Sequence, residues 1–289
     1  MKTGVVLPHH EIGTDPSAIR AFVTGVEELG AAHIMIYDHV VGADRNRPGG
    51  FEGPYDKDVQ FHEPFTFFSY VAGLTNTIEL VTGIIILPQR QTALVAKQAA
   101  ELAILSGNRL RLGIGTGWNA LEYEVLNENF TNRGRRQEEQ VDLMRRFWKE
   151  DCFSYQGNYH NFTLAGINPR PTQLVPIWFG GAAPALLDRC ARLGDGWMPV
   201  MGPGKRTEAA IEIMRRTRES NGLDWGSFGI HAQVQARGGT SEIWRKNYSD
   251  WQKLGATDLS IATHNAELNS VDEHLHKIED WLEIVNEEA

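Results

Sequence analysis

"TGVVLPHHEIGTDPSAIRAFVTGVEELGAAHIMIY", residues 3–37, has the pattern of a strand, a helix and a second strand. The apolar, β-branched run at 3–7 and the run HIMIY at 33–37 each predict a buried strand. Between them, Asp15 is placed as an N-cap with Pro16 at the first helical position, and Gly30 is placed to end the helix. A strand–helix–strand unit of this kind favours a parallel sheet.

The same alternation continues to the end of the chain. Six more strands are predicted, at 79–87, 110–114, 176–181, 196–200, 228–236 and 258–262. Helices are predicted at 93–105, 133–148, 184–193, 206–220, 240–254 and 271–286. Eight strands in a chain of 289 residues, alternating with helices, predict an α/β fold, a single (β/α)8 TIM barrel. An open doubly wound sheet is the alternative, although it usually has fewer strands. No low-complexity linker divides the chain, so one domain is expected over 1–289.

Two long irregular segments interrupt the alternation. Residues 39–64, rich in Gly, Pro and Asp, follow the second strand on the side where barrel active sites are built. Residues 150–175 form a turn-rich insertion after a helix, long enough to cross over and cover the barrel mouth. Long irregular segments in compact domains are usually functional, so both are candidates for lids or binding loops.

Composition excludes several classes of partner. The net charge of -9 and the pI of about 5.6 argue against a surface for nucleic acid or anionic membranes. The basic stretch NRGRRQ (132–137) is interpreted as a solvated helix face. The longest apolar runs are too short to span a bilayer, and the N-terminus lacks the apolar core of a signal peptide. Two isolated cysteines, Cys152 and Cys190, favour a reduced, cytoplasmic protein.

The stretch GIGTGW (113–118) suggests a phosphate-binding loop, but two common interpretations fail. A dinucleotide fingerprint needs a third glycine at position 118, where this chain has Trp. A methyltransferase loop expects an acidic residue at the end of a strand that follows closely, and the segment there, ENFTNRGRRQ (128–137), is not a strand. A metal site is not expected, because none of the ten histidines has ligand spacing such as HExxH.

The carboxyl ends of barrel strands meet at one mouth, and several polar residues are predicted there. The adjacent pair Asp38 and His39 follows the second strand. A histidine at this position could move a proton near neutral pH, and the alternative is that Asp38 caps the loop and His39 has no role. Candidates for the substrate pocket at the same mouth are His9, His10, Trp118 and Arg90.

Three segments together resemble the bacterial luciferase-like superfamily, and within it the branch of oxidoreductases that use the deazaflavin coenzyme F420. They are IYDHVV (36–41), residues 80–124 and residues 176–200. Each segment alone is weakly diagnostic, but their order and combination are specific. The fold of this superfamily is the same (β/α)8 barrel.

The resemblance implies a role for each matching residue. His39 would be the acid or base beside the cofactor ring, and Gly83–Ile84 a bulged strand with a non-prolyl cis peptide behind that ring. The residues implied to bind the cofactor are Asp38, Gly83, Ile84, Thr116, Gly117, Asn119, Gly180, Gly181 and Ala182.

The implied activity is hydride transfer between coenzyme F420 and a small organic substrate. FMN-dependent monooxygenation and a non-catalytic flavin-binding barrel are the alternatives. Some relatives, the sugar-phosphate dehydrogenases, have Glu where this chain has Trp118, so neither their proton donor nor their substrate transfers to it. Members of the superfamily often dimerise, so a homodimer is compatible with the resemblance.

Overall fold

Eleven strands are present in the computed structural model, which describes residues 1–288. In chain order they are β1 (Lys2–Val6), β2 (His33–Ile36), β3 (Glu79–Thr82), β4 (Ile85–Ile86), β5 (Leu110–Gly115), β6 (Phe153–Gln156), β7 (Asn161–Ala165), β8 (Ile177–Gly180), β9 (Gly196–Met198), β10 (Gly229–Gln235) and β11 (Asp258–Ala262). Nine of them form one parallel sheet in the order β3-β2-β1-β11-β10-β9-β8-β5-β4. A further pairing of β3 with β5 closes the sheet into a barrel.

The barrel has eight positions because β3 and β4 share one of them. Both pair with β5, β3 near its beginning and β4 near its end. The single strand expected over 79–87 is therefore interrupted at Gly83–Ile84. With this one break, the predicted (β/α)8 TIM barrel is confirmed.

The helices surround the barrel. They are α1 (Pro16–Glu28), α2 (Pro64–Ala72), α3 (Thr92–Leu105), α4 (Ala120–Val125), α5 (Arg133–Lys149), α6 (Pro184–Leu193), α7 (Lys205–Ser220), α8 (Ser241–Lys253) and α9 (Val271–Glu287). Asp15 caps α1 through its side chain, as its sequence position predicts. The sequence did not place α2 or α4. None of the helices within residues 1–288 is long and apolar enough to cross a lipid bilayer.

The insertion at 150–175 is a β-hairpin on the outside of the barrel. Its strands β6 and β7 pair antiparallel, and Phe153 and Phe162 pack against Phe147 of α5. The Glu139 carboxylate of α5 accepts three backbone N–H groups at the hairpin turn. These contacts hold the hairpin against α5, so it does not cross over the barrel mouth.

The amino ends of the strands are closed by a buried polar cluster. The Arg111 guanidinium donates to the carboxylates of Glu79 and Asp258. Ser260 Oγ lies 2.8 Å from Nε2 of His33 and 2.7 Å from Nε2 of His231. Because the guanidinium pairs with both carboxylates, this cluster fills the bottom of the barrel, and the open end is at the carboxyl ends of the strands.

Candidate active site

A single cleft occupies the carboxyl end of the barrel. It consists of two adjoining cavities, of about 670 Å³ and about 710 Å³. Both are lined by Gly83, Ile84, Gly117, Trp118, Pro199, Val200 and Gln233. We call the first cavity the histidine half, because Asp38 and His39 line it, and the second the glycine half, because Gly180 and Gly181 line it. The shared residues make the two halves one continuous site.

Asp38 is fixed in the wall of the histidine half by two hydrogen bonds. One carboxylate oxygen accepts from Arg90 at 2.8 Å, and the other accepts from the backbone N–H of Ile86 at 2.9 Å. Arg90 also donates to Glu63 at 2.9 Å, in front of α2. Burial raises the pKa of Asp38, and the neighbouring Arg90 guanidinium opposes that rise. Asp38 is therefore an oriented carboxylate with little freedom to move.

His39 lines the same half and is held by a buried carboxylate. Its Nδ1 lies 3.2 Å from Oε1 of Glu122, a residue of α4 with 0% exposure. The rings of Tyr55, Phe61 and Trp118 surround the imidazole, with centroids 4.8 to 5.9 Å away. His39 is thus a proton-transfer candidate whose ring plane is fixed by its neighbours.

Much of this enclosure comes from the segment 39–64. Tyr55 and Phe61, which pack on His39, belong to it, and Phe51 stacks against Trp118. Position 53 is glycine because a Cβ there would lie 2.6 Å from the Trp118 ring. In this conformation the segment covers one side of the histidine half.

The floor of the cleft is built around Ile84. The Gly83–Ile84 peptide is cis, as the resemblance implies. The Ile84 side chain lies between Gly115 and Gly180, and a Cβ on either glycine would come within 2.6 Å of it. Gly117 has φ of 63° and leaves no room for a side chain against Ile86. These glycines are required so that the floor can be flat and close to the backbone.

The glycine half is lined by exposed backbone and by two cationic side chains. Thr116, Gly117, Gly180, Gly181 and Ala182 line it, and their role in cofactor binding stays a prediction. It is also lined by Arg133, Gly134 and Arg189, which the sequence did not assign to the site. The α5 helix begins at Arg133 without a side-chain cap, so its first N–H groups and its positive dipole end face this region.

This placement corrects part of the interpretation of NRGRRQ as a solvated face. Arg135 is exposed as expected, but Arg133 is partly buried and lines the cleft. Its side chain packs on Phe130, and its Nε has no hydrogen-bond partner within residues 1–288. Local spacing could not show this, because the helix start reaches the mouth only through the tertiary fold.

Other residues proposed from the sequence lie behind the cleft surface. His9 is buried between the rings of Tyr37 and Phe61, and burial lowers its pKa to about 3, so it is neutral. His10 packs against His264. Neither histidine lines the two large cavities, and their contact with a substrate stays a prediction.

Two further assignments have structural roles in the wall. Arg90 lies behind the surface, where it binds Asp38 and Glu63. Asn119 caps α4 by accepting the N–H of Leu121 at 3.1 Å, and it does not line either cavity. Trp118, by contrast, lines both halves and is 44% exposed, so it is placed to contact a ligand.

A family described as luciferase-like monooxygenase matches residues 1–284. Uncharacterized proteins of Mycobacterium tuberculosis and Mycobacterium bovis are 36% identical over 171 residues, 59% of this chain and 59% of theirs. An F420-dependent glucose-6-phosphate dehydrogenase of Kineococcus radiotolerans is 29% identical over 73% of this chain and 61% of its own. An FMNH2-dependent dimethylsulfone monooxygenase of Pseudomonas fluorescens is 27% identical over 65% and 51%. The matched regions thus span half to three fifths of these relatives' lengths.

Solved structures share the whole fold. Monooxygenase RslO1 from Streptomyces bottropensis superposes with a TM-score of 0.78 at 20% identity, covering 100% of both chains. An F420-dependent secondary alcohol dehydrogenase in complex with an F420-acetone adduct superposes with a TM-score of 0.81 at 16% identity, covering 98% of both. At these identities the likeness establishes the fold.

Proposed function

The chain belongs to the luciferase-like monooxygenase family, and from this premise we propose that it is an F420-dependent oxidoreductase. It would transfer a hydride between the deazaflavin and a small organic substrate. The observation that carries the proposal is the continuous cleft, in which an oriented histidine at one end is joined by a flat glycine floor to a cationic pocket at the other. The relatives named F420-dependent glucose-6-phosphate dehydrogenase support this choice of cofactor.

The residues of the cleft fit a planar ring with a phosphate-bearing side chain. Ile84, held between glycines whose Cβ atoms would collide with it, offers an apolar support for the ring. Gly117 and Gly181 leave backbone open to a side chain, and the α5 terminus with Arg133 and Arg189 provides donors for a phosphate. Asp38, which lines the same cavity as Ile84, would contact the ring edge.

The bound deazaflavin supplies hydride chemistry, in which two electrons move together. The protein contributes position, water exclusion and a proton. His39 would give or take the proton that accompanies the hydride, and the rings of Phe61, Tyr55 and Trp118 would keep bulk water away from it.

An FMN-dependent monooxygenase is the second candidate. It is favoured by the FMNH2-dependent dimethylsulfone monooxygenases among the relatives and by a glycine half that would suit the phosphate of either cofactor. A flavin-binding barrel without catalysis is a third interpretation. The enclosed His39–Glu122 contact argues against it, because pure binding needs no oriented proton-transfer group.

Titration of the purified protein distinguishes the cofactors. We expect oxidised and reduced coenzyme F420 to quench tryptophan fluorescence with a saturable curve, and FMN to bind at least tenfold more weakly. A single-turnover mixture of reduced F420 with a panel of ketones and enones would then identify the substrate class. Tight FMN binding without F420 binding would overturn the choice of cofactor.

We further propose that the protein acts in the cytoplasm and that it forms a homodimer, as members of its family often do. Both cysteines are free, Cys152 at the surface and Cys190 in the core, which suits a reducing compartment. Size-exclusion chromatography with light scattering measures the oligomeric state directly.

A further inference from the structure

Glu122 lies in an unusual position for a carboxylate. It is on the first turn of the short helix α4, and its side chain is completely buried under His39. Among residues 1–288, no lysine or arginine pairs with it, and its one ion-pair partner is His39. A buried charge without a cation beside it lowers the stability of the fold, so a functional role for this carboxylate is expected.

Three N–H groups converge on the two oxygens of Glu122. Oε1 accepts from the backbone N–H of Val40 at 3.1 Å and lies 3.2 Å from Nδ1 of His39. Oε2 accepts from the side-chain amide of Gln89 at 3.3 Å. The backbone N–H is an obligatory donor, so Oε1 is fixed as an acceptor facing the imidazole.

This geometry fixes which nitrogen of His39 carries the proton. With Glu122 as a carboxylate, which has no proton to donate, Nδ1 donates to Oε1, and the neutral ring then has its free lone pair on Nε2. Nε2 makes no hydrogen bond with any residue in the described chain, and His39 lines the histidine half. In water, neutral imidazole prefers the opposite tautomer, so the protein selects this one.

We propose that Glu122 is the positioning residue of the proton-transfer site. It holds the Nδ1–H tautomer of His39, presents Nε2 to the substrate and stabilises the imidazolium that forms when Nε2 accepts a proton. The arrangement is comparable to the Ser-His-Asp triad, in which a buried carboxylate orients the catalytic histidine, but the strands and helices that carry the two residues here are unrelated to it. The catalytic part rests on the proposed oxidoreductase function, whereas the tautomer does not.

Trp118 supports this assignment. It faces His39 across the cleft, with its ring 5.9 Å from the imidazole, and its indole cannot act as a carboxylic acid there. Glu122, four residues further on, lies beneath the imidazole. The proposal therefore assigns the proton handling to the His39–Glu122 pair.

The tautomer is measurable without cofactor or substrate. In ¹⁵N-histidine-labelled protein, at a pH well above the ordinary histidine pKa of about 6.5, we expect His39 to show a pyrrole-type Nδ1 and a pyridine-type Nε2. The H39Q variant assigns these signals among the ten histidines. A pyridine-type Nδ1 in the wild-type protein would overturn the proposal.

Variants separate the charge from the geometry. In E122Q the Val40 N–H keeps the amide oxygen facing His39, so the tautomer should persist while the negative charge is lost. In E122L the tautomer should move towards Nε2–H. The control is E124Q on the same helix, whose carboxylate is 73% exposed, and it should change neither signal. An E122L spectrum identical to that of wild type would refute the positioning role. If E122L fails to fold, the wild-type and E122Q spectra still show which nitrogen of His39 carries the proton.

Kinetics complete the test once a substrate is known. We expect E122Q to lower kcat at least about 10-fold, the lower bound typical when a hydrogen-bond partner that orients a metal-binding histidine is removed, with deazaflavin affinity changed less than about twofold. Loss of affinity with unchanged kcat would contradict the proposal. A protein that binds no deazaflavin but shows the Nδ1–H tautomer would refute the proposed use of coenzyme F420 and still support the orienting contact.

Discussion

Replacing Arg90 by methionine should destabilise the protein in a pH-dependent way. Arg90 is the cation that faces the buried Asp38 carboxylate, at 2.8 Å, and its own side chain is only 13% exposed. Methionine keeps most of the apolar stem and removes the charge. The variant therefore isolates the electrostatic part of the contact.

The size of the effect follows from the environment of Asp38. Removing one partner of a buried ion pair typically costs about 3–5 kcal/mol, because an uncompensated charge is left behind. Asp38 keeps the hydrogen bond from the Ile86 N–H, so we expect the lower end of that range, about 3 kcal/mol, at alkaline pH. Burial already raises the pKa of Asp38 in the wild-type protein, and without Arg90 it should rise further.

The sign of the pH dependence can be worked out. A carboxyl group whose pKa is higher in the folded than in the unfolded chain stabilises the fold when protonated, and this contribution is lost as the pH rises through the folded pKa. R90M should thus be closest to wild type at an acidic pH at which Asp38 is protonated in both folded proteins, and fully destabilised at an alkaline pH at which it is ionised. The loss is reversible, because it depends on one proton.

Urea unfolding of both proteins at the two pH values measures this difference. R45M is the matched control, since Arg45 pairs with Asp56 in the same segment but is 52% exposed, and it should unfold like wild type at both. A deficit below about 1 kcal/mol at alkaline pH, or one that is equal at both pH values, would refute the reasoning about Asp38.

Three other substitutions test the cleft. H39Q should lower turnover by about 10²- to 10⁴-fold while the Kd for the deazaflavin stays within about threefold, and unchanged turnover would remove its assigned role. R133M should weaken the binding of coenzyme F420 about tenfold but leave the binding of a deazaflavin without the phosphate unchanged. Fluorescence titrations with both compounds measure the two affinities, and an equal loss for both would mean that the phosphate binds elsewhere. G180A should lower the free energy of unfolding by about 1–3 kcal/mol, since the added Cβ would lie 2.6 Å from Ile84. An unchanged free energy of unfolding in a denaturation curve would mean that the Ile84 side chain moves to make room.

The barrel could be predicted because its signals are local. Periodicity and caps identify each strand and helix, as Asp15 and Pro16 do for α1. The interruption at Gly83–Ile84 is hidden in the composition of residues 79–87, since ELVTGIIIL is apolar on both sides of the break. Only the resemblance to a family pointed to it.

The site was less accessible to sequence reasoning. Residues at strand ends, such as Asp38 and His39, are expected at the mouth by the geometry of the fold. Glu122, Arg133 and Arg189 reach the same mouth from helices, and their approach depends on how α4, α5 and α6 pack. An acidic residue in a first helical turn and an arginine in a basic helix are common everywhere, so no local pattern distinguishes these three. The family expected from the sequence is confirmed.

The residues common to both halves of the cleft constrain how this protein could evolve or be redesigned. A change at Ile84, Gly117 or Gln233 alters the wall of both cavities at once, so any gain for a new substrate is coupled to a change in cofactor fit. Tyr55, Met201 and Asn247 line the histidine half alone. Mutant libraries confined to such positions would explore new substrates without disturbing the cofactor, and natural divergence should be fastest there.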